Sequence, residues 1–293
     1  MMIQRPKLIY ALRHGLEHFK AVALLGARQV GKTTLIDLFS RHASISRRFD
    51  LERPSDRAAL GTPEQTLSAL KGLVVIDEVQ RIPELFEVLR PLCDRTPLPA
   101  RFVLLGSASP SLVRGVSESL AGRCLYLHVP GFSMQEVGTE RQSMLWARGG
   151  FPPAFLAADD ATSMLWRRTM IDTFLERDMP LLGIRVPPVA LRRFWMMLAH
   201  YHGQIWNASA IARSMDTGYK AVQHYRDILA GAFMIRVLPP WYENLGKRLV
   251  KSPKIYLRDS GLLHALLGLE ALDSVRGHAI YGASWEGFAL DQV

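Results

Sequence analysis

Gly26-Ala27-Arg28-Gln29-Val30-Gly31-Lys32-Thr33, followed by Thr34, is the stretch on which the reading of this chain turns. Two glycines five apart, then a lysine and a hydroxyl residue, form a pattern that wraps backbone N–H groups around a phosphate. The stretch follows an apolar run at residues 21–25 and opens a helical pattern over 34–39. Gly26 and Gly31 let the backbone approach phosphate oxygens closely. The helix expected to begin at Lys32 adds its dipole and its free N–H groups. Lys32 is placed to reach the β- and γ-phosphates, and Thr33 to set its hydroxyl on Mg²⁺.

A second stretch, Leu73-Val74-Val75-Ile76-Asp77-Glu78, has the form of a buried strand with two carboxylates at its C-terminal end. Open α/β sheets place their ligands at that end. Asp77 is expected to hold Mg²⁺ through water, and Glu78 to orient and activate the attacking water. Phe102-Val103-Leu104-Leu105-Gly106-Ser107 is another strand ending in a hydroxyl. If it lies between the other two strands, Ser107 can meet the γ-phosphate or the lytic water. Ser119-Leu120-Ala121-Gly122-Arg123 offers a guanidinium that could stabilise a transferring phosphoryl group, in cis or from a neighbouring copy. No Asn-Lys-x-Asp tetrapeptide for guanine is present, which favours ATP over GTP.

Around these motifs, strands are expected at residues 21–25, 46–51, 73–76, 102–105 and 125–129, alternating with helical patterns. That alternation predicts an α/β fold with a parallel sheet, a P-loop NTPase core. From 134 to 183 the pattern turns helical, with a break at Gly149-Gly150-Phe151-Pro152-Pro153, and Pro187-Pro188 marks a further boundary. Leu191, Phe194, Trp195 and Leu198 share a helical stripe. Asn207 can cap a second helix, Asp216-Thr217-Gly218 makes a turn, and residues 220–231 make a third helix before a strand at 233–238. That order matches a winged helix-turn-helix. The expected partition is 1–135 for the ATP-binding core, 136–186 for a helical lid or linker, 187–250 for the winged helix and 251–293 for a further C-terminal piece. Residues 284–293 end inside a helical pattern, as though a longer domain were cut.

The 293 residues carry a formal charge of +9. Residues 201–258 hold 9 basic and 3 acidic residues, so an anionic partner, with DNA first, is expected there. Lys220, His224 and Arg226 fall on the third helix, and Lys247, Arg248, Lys251 and Lys254 follow the strand. Only Cys93 and Cys124 are present, too few for a disulfide framework and fitting a reducing, cytoplasmic setting. No window is long and apolar enough to span a membrane.

The motifs together resemble the AAA+-superfamily ATPases of bacteria and archaea that carry a C-terminal domain of unknown function. The resemblance rests on residues 26–34, Ile76-Asp77-Glu78-Val79-Gln80 with Pro83-Glu84-Leu85, Leu105-Gly106-Ser107 and Ser119-Leu120-Ala121-Gly122-Arg123. Gly149-Gly150-Phe151-Pro152, Glu176-Arg177-Asp178, Lys251-Ser252-Pro253-Lys254-Ile255-Tyr256 and Asp259-Ser260-Gly261-Leu262 extend it over nearly the whole chain. It implies an additional-strand, catalytic-glutamate ATPase core, a winged helix, and then the start of a restriction-endonuclease-like fold. Only Glu286 of that last fold's acidic motif falls within these residues, and Leu105 stands where the family usually has threonine. The expected function is an ATP-hydrolysing conformational switch, possible homo-oligomers included. The alternatives are a nucleotide-tuned DNA-binding regulator and a P-loop kinase of a small metabolite.

Overall fold

The computed structural model describes residues 3–107, 119–181, 183–240 and 252–292. The chain divides into two compact units, Met1–Pro130 and Gly131–Val293. The first unit opens with helix α1 (Pro6–His18) and then alternates strands with helices. These are β1 (Ala21–Gly26), α2 (Lys32–Ser40), β2 (Ile45–Asp50), α3 (Pro54–Ala59), α4 (Pro63–Ser68), β3 (Gly72–Asp77), α5 (Leu85–Cys93), β4 (Ala100–Ser107) and β5 (Cys124–His128). Each expected strand is present, with ends within two residues of those read from the sequence. All pairings are parallel, and the strand order is β2-β3-β4-β1-β5.

Burial follows that order. β1 sits between two neighbours and is buried along its whole length, as its unbroken apolar sequence requires. β2 lies at an edge, which is why it tolerates Ser46, Arg47 and Arg48. Parallel pairing brings every strand's C-terminal end to one edge, so Gly26 lies opposite Ser107 and Asp50 opposite Asp77. Gly26 owes its identity to packing: a Cβ there would stand 2.4 Å from the Val129 carbonyl oxygen. Gly31 owes its own to backbone conformation, with φ at 93°.

The second unit is mostly helical. It runs through α6 (Met134–Val137), α7 (Gln142–Arg148), α8 (Pro152–Phe155) and α9 (Asp160–Thr173), then a π-helical turn at Phe174–Asp178 and α10 (Met179–Leu181). Next come α11 (Pro188–His200), α12 (Ala208–Met215), α13 (Tyr219–Gly231), β6 (Ile235–Leu238) and β7 (Lys254–Leu257). α14 (Ser260–Leu266), α15 (Leu272–Arg276) and α16 (Tyr281–Gln292) follow. Pro188 opens α11, where a missing N–H costs nothing. The Asn207 side chain accepts the Ala210 N–H at 3.0 Å and caps α12 as expected. Leu191, Phe194, Trp195 and Leu198 form one buried stripe. β6 and β7 pair antiparallel, and Ile205 bridges to Lys254.

The segments expected at 136–186, 187–250 and 251–293 are joined by long-range contacts within the second unit. The first boundary falls near 130, and residues 136–186, 187–250 and 251–293 belong to one unit. Long-range pairing is the reason. β7, assigned from sequence to the last piece, is the partner of β6. The Asp259 carboxylate accepts the Gly150 N–H at 2.7 Å and the Leu262 N–H at 2.8 Å. Fully buried Arg167 donates to the carbonyls of Ala147, Gly261 and Glu270 at 3.1–3.2 Å. Ser284 Oγ accepts Trp146 Nε1–H at 3.0 Å and lies 2.7 Å from His264 Nε2.

This junction makes a stability prediction. A Cβ on Gly261 would lie 2.0 Å from the Arg148 carbonyl oxygen, whereas one on Gly282 would meet nothing within 4 Å. Gly261→Ala should destabilise the unit by about 1–3 kcal/mol, lowering its melting temperature by several degrees. Gly282→Ala, in a helix and unobstructed, should leave the melting temperature unchanged or raise it. Thermal denaturation followed by circular dichroism checks both, and equal effects of the two substitutions would contradict the close packing.

Candidate nucleotide site

Three strand ends build the site. β1 runs into the loop at residues 26–31, β3 ends at Asp77, and β4, between them, ends at Ser107. The loop needs left-handed backbone at Gln29 (φ 62°) and Gly31 before α2 starts at Lys32. Gly31 at the N-cap has no side chain with which to cap α2, so the helix presents its first N–H groups and the positive end of its dipole towards the loop. Ala27 and Val30 are buried in the loop, and Thr34 is exposed on the first turn of α2.

Lys32 is nearly enclosed, and its Nζ donates to the carbonyls of Gly26 at 3.0 Å and Ala27 at 2.9 Å. Burial pushes its ammonium down to about 8, against the pull of Glu78 and Asp77. Thr33 Oγ1 donates to Asp77 Oδ2 at 3.0 Å. Arg48 Nη2 stands 3.6 Å from the same oxygen, while its Nη1 is 2.7 Å from Asp37. Burial raises the Asp77 carboxyl more than Thr33 and Arg48 lower it. A hydroxyl and a carboxylate thus converge as hard oxygen donors, the set that Mg²⁺ takes, and the residues fit that ion.

Glu78 sits next to Asp77 with a left-handed backbone, φ 55° and ψ 42°. A non-glycine residue there carries strain of roughly 1–2 kcal/mol, of the kind that gathers at functional sites. Its carboxylate is raised by burial and accepts a hydrogen bond from Gln80 Nε2. A base held away from water, near a buried lysine, is suited to taking a proton.

Ser107 ends β4, its backbone paired with Gly26. Arg123 does not join them. It immediately precedes β5, and its carbonyl accepts the N–H groups of Lys20 and Ala21 at the opposite edge of the sheet. The strands separate it from the loop by roughly 17–20 Å, at about 3.3 Å per residue. Its guanidinium is held by Asp94 through bonds of 2.6 and 2.8 Å. A cis role for Arg123 is therefore excluded by the direction of the strands.

One group escaped the sequence reading. Glu52, just past the edge strand, accepts Arg28 Nη2 at 3.1 Å and Arg81 Nη2 at 3.2 Å on the same oxygen. Nothing in local spacing signals this, because the three residues come from three separate segments.

Of the basic residues expected to face DNA, Lys220 and His224 are exposed on α13. Arg226 lies over the Trp206 ring and pairs with Asp227 at 2.7 Å, and Lys254 pairs with Glu286 at 2.9 Å. Those two are therefore already engaged. Lys247, Arg248 and Lys251 lie outside the described residues. Glu286 also accepts from the Tyr256 hydroxyl at 2.7 Å. Among the described residues no helix is long and apolar enough to cross a membrane.

Residues 18–138 match the family described as an AAA domain. The first unit has the fold of a P-loop ATPase. Residues 139–273 match a domain of unknown function, a span that crosses the boundaries at 186 and 250 expected from sequence. Among solved structures, a Walker-type ATPase of Pyrococcus abyssi is similar over 91% of this chain and 96% of its own, with a TM-score of 0.62 at 16% identity. Two uncharacterized proteins, of Mycobacterium bovis and Mycobacterium tuberculosis, are each 48% identical over all 293 residues. The chain spans 66% of the length of these curated relatives.

The depressed Lys32 sets a pH dependence. If the ammonium is the form that meets phosphate, nucleotide affinity should be flat below its free-state value of about 8. Above that pH each bound nucleotide must first recruit a proton, and affinity should fall by up to about tenfold per pH unit. Calorimetric titrations from pH 7 to 9.5 measure this, and a flat profile would contradict the assignment.

Proposed function

We propose that the chain binds MgATP and hydrolyses it, acting as a switch whose nucleotide state is communicated to the second unit. The observation that carries this reading is the convergence of Lys32, Thr33, Asp77 and Glu78 on one edge of a β2-β3-β4-β1-β5 sheet. In this reading the loop N–H groups and Lys32 hold the β- and γ-phosphates. Thr33 and Asp77 hold Mg²⁺, which when bound neutralises phosphate charge. Glu78 orients the attacking water and accepts its proton, and Ser107 stands by to contact the γ-phosphate or that water. A small-molecule kinase has less use for a carboxylate beside the γ-phosphate that can accept a proton from water, so hydrolysis is favoured.

Arg123, excluded from its own site, is assigned to the site of another copy. Glu78→Gln keeps the shape and removes the base. It should bind ATP while hydrolysis falls roughly 10²-fold or more. Mixing it with Arg123→Ala should restore part of the lost turnover if sites are shared. Hydrolysis at the parent rate in Glu78→Gln would assign the base elsewhere, and no restoration on mixing would remove the shared site.

The order α11, the Ile205 bridge, α12, α13 and the β6–β7 hairpin supports a winged helix in the second unit. We read α13 as its recognition helix, with Lys220 and His224 one turn apart on one exposed face. Binding of a random duplex should weaken by about 0.9 log unit per contacted phosphate per log unit of salt. Replacing Lys220 by alanine should reduce that slope by about one phosphate's share. Fluorescence anisotropy at several salt concentrations gives the slope. Absence of duplex binding with ATP and with ADP would leave the module a packing role only. The free thiols of Cys93 and Cys124, both buried, support a reducing compartment such as the cytoplasm.

A further inference from the structure

Moving Arg123 out of its own site leaves the question of which guanidinium the γ-phosphate meets in a single copy. Arg28 lies inside the phosphate loop, between Gly26 and Gly31. Its Nη2 is 3.1 Å from Glu52 Oε1, and Arg81 Nη2 reaches the same oxygen at 3.2 Å. Arg81 comes from the turn that carries Glu78, and its N–H donates to the Glu78 carbonyl at 3.0 Å. Arg57 fixes the backbone beneath this group, donating to the carbonyls of Leu51 at 2.8 Å and Glu52 at 3.0 Å. The Arg28 charge is also felt at Lys32 and Glu78. It adds to burial in lowering Lys32, and on Glu78 it works against burial.

One carboxylate oxygen therefore accepts from two guanidiniums beside the loop. Arg28 belongs to the phosphate loop and Arg81 to the turn that carries Glu78, so their shared carboxylate joins the two segments that would flank a γ-phosphate. We propose that Arg28 is a γ-phosphate ligand in cis, parked on Glu52 until a triphosphate arrives, and that Glu52 and Arg81 position it. The exchange is favourable because Arg81 stays on Glu52 when Arg28 leaves, so no carboxylate is stranded without a cation. A diphosphate offers Arg28 nothing to reach, so the device selects triphosphate over diphosphate. Guanidinium suits the task better than ammonium because its fork matches phosphate geometry.

This inference rests on the nucleotide reading, and the experiment separates the two. The affinities of ADP and of a non-hydrolysable β,γ-imido analogue of ATP are measured by calorimetry for the parent protein and three variants. In Arg28→Gln the preference for the triphosphate analogue should fall by about tenfold or more, the range of a hydrogen bond between charged groups. ADP affinity should stay within a few-fold of the parent. Arg28→Lys should keep part of the preference. Glu52→Gln, which removes the carboxylate that competes for Arg28, should tighten the analogue several-fold and leave ADP unchanged. A structural role for Arg28 would change both ligands together. An unchanged analogue-to-ADP ratio in Arg28→Gln, or in Glu52→Gln if Arg28→Gln does not fold, overturns the inference alone. A parent protein that binds neither nucleotide overturns the site reading beneath it.

Discussion

Parallel strand pairing is the constraint from which the candidate site follows. Because β1, β3 and β4 are hydrogen-bonded side by side in one direction, their C-terminal ends must arrive at one edge. Residues 26–33, Asp77 with Glu78, and Ser107 are far apart in the chain, and the sheet makes them neighbours. The same constraint sends Arg123, which precedes its strand, to the opposite edge. The fold thus sorts residues by which end of a strand they adjoin, before any side chain makes a contact.

Electrostatics then decides what the edge can do. Lys32, Asp77 and Glu78 are all withdrawn from water, and burial disfavours the charged form of each. The lysine and the two carboxylates offset part of that cost for one another, and the backbone carbonyls of Gly26 and Ala27 accept hydrogen bonds from the lysine ammonium. A polyanion with a divalent cation would complete this arrangement by supplying the missing charges of both signs. Glu78 keeps a strained backbone and a bond from Gln80, so its direction is set by local geometry. The Glu52 pair of arginines extends the positive side of the same edge.

Much of the first unit was legible because its signals are local. An apolar run such as residues 73–76, rich in β-branched residues and bounded by Gly72 and two carboxylates, reads as a buried strand, and the glycine-lysine-threonine spacing of the loop lies within eight residues. Strand order was not legible, since pairing partners are chosen over dozens of residues and leave no periodicity. That is why Ser107 could be placed only conditionally and why Arg123 was open to a cis reading. In the second unit the helices, the Asn207 cap and the Asp216 turn followed from short-range chemistry. The partition did not, because β7 pairs backward with β6 and Asp259 reaches back to Gly150. Arg226 and Lys254 had the charge expected of a nucleic-acid face, yet an aromatic ring and a carboxylate already hold them.

The bond between Trp146 and Ser284 spans 138 residues, and it sets a timetable for synthesis. A chain leaving the ribosome has all five strands of the sheet once residue 128 is clear, so the first unit can close while translation continues. The second unit cannot. Its helix α7, at residues 142–148, must wait for partners near 260 and 284, leaving Trp146 without its final burial in the meantime. Contacts of such sequence separation form slowly. The emerging polypeptide is therefore asymmetric, a finished phosphate-binding half trailing an unfinished apolar one, and chaperone attention belongs to the latter.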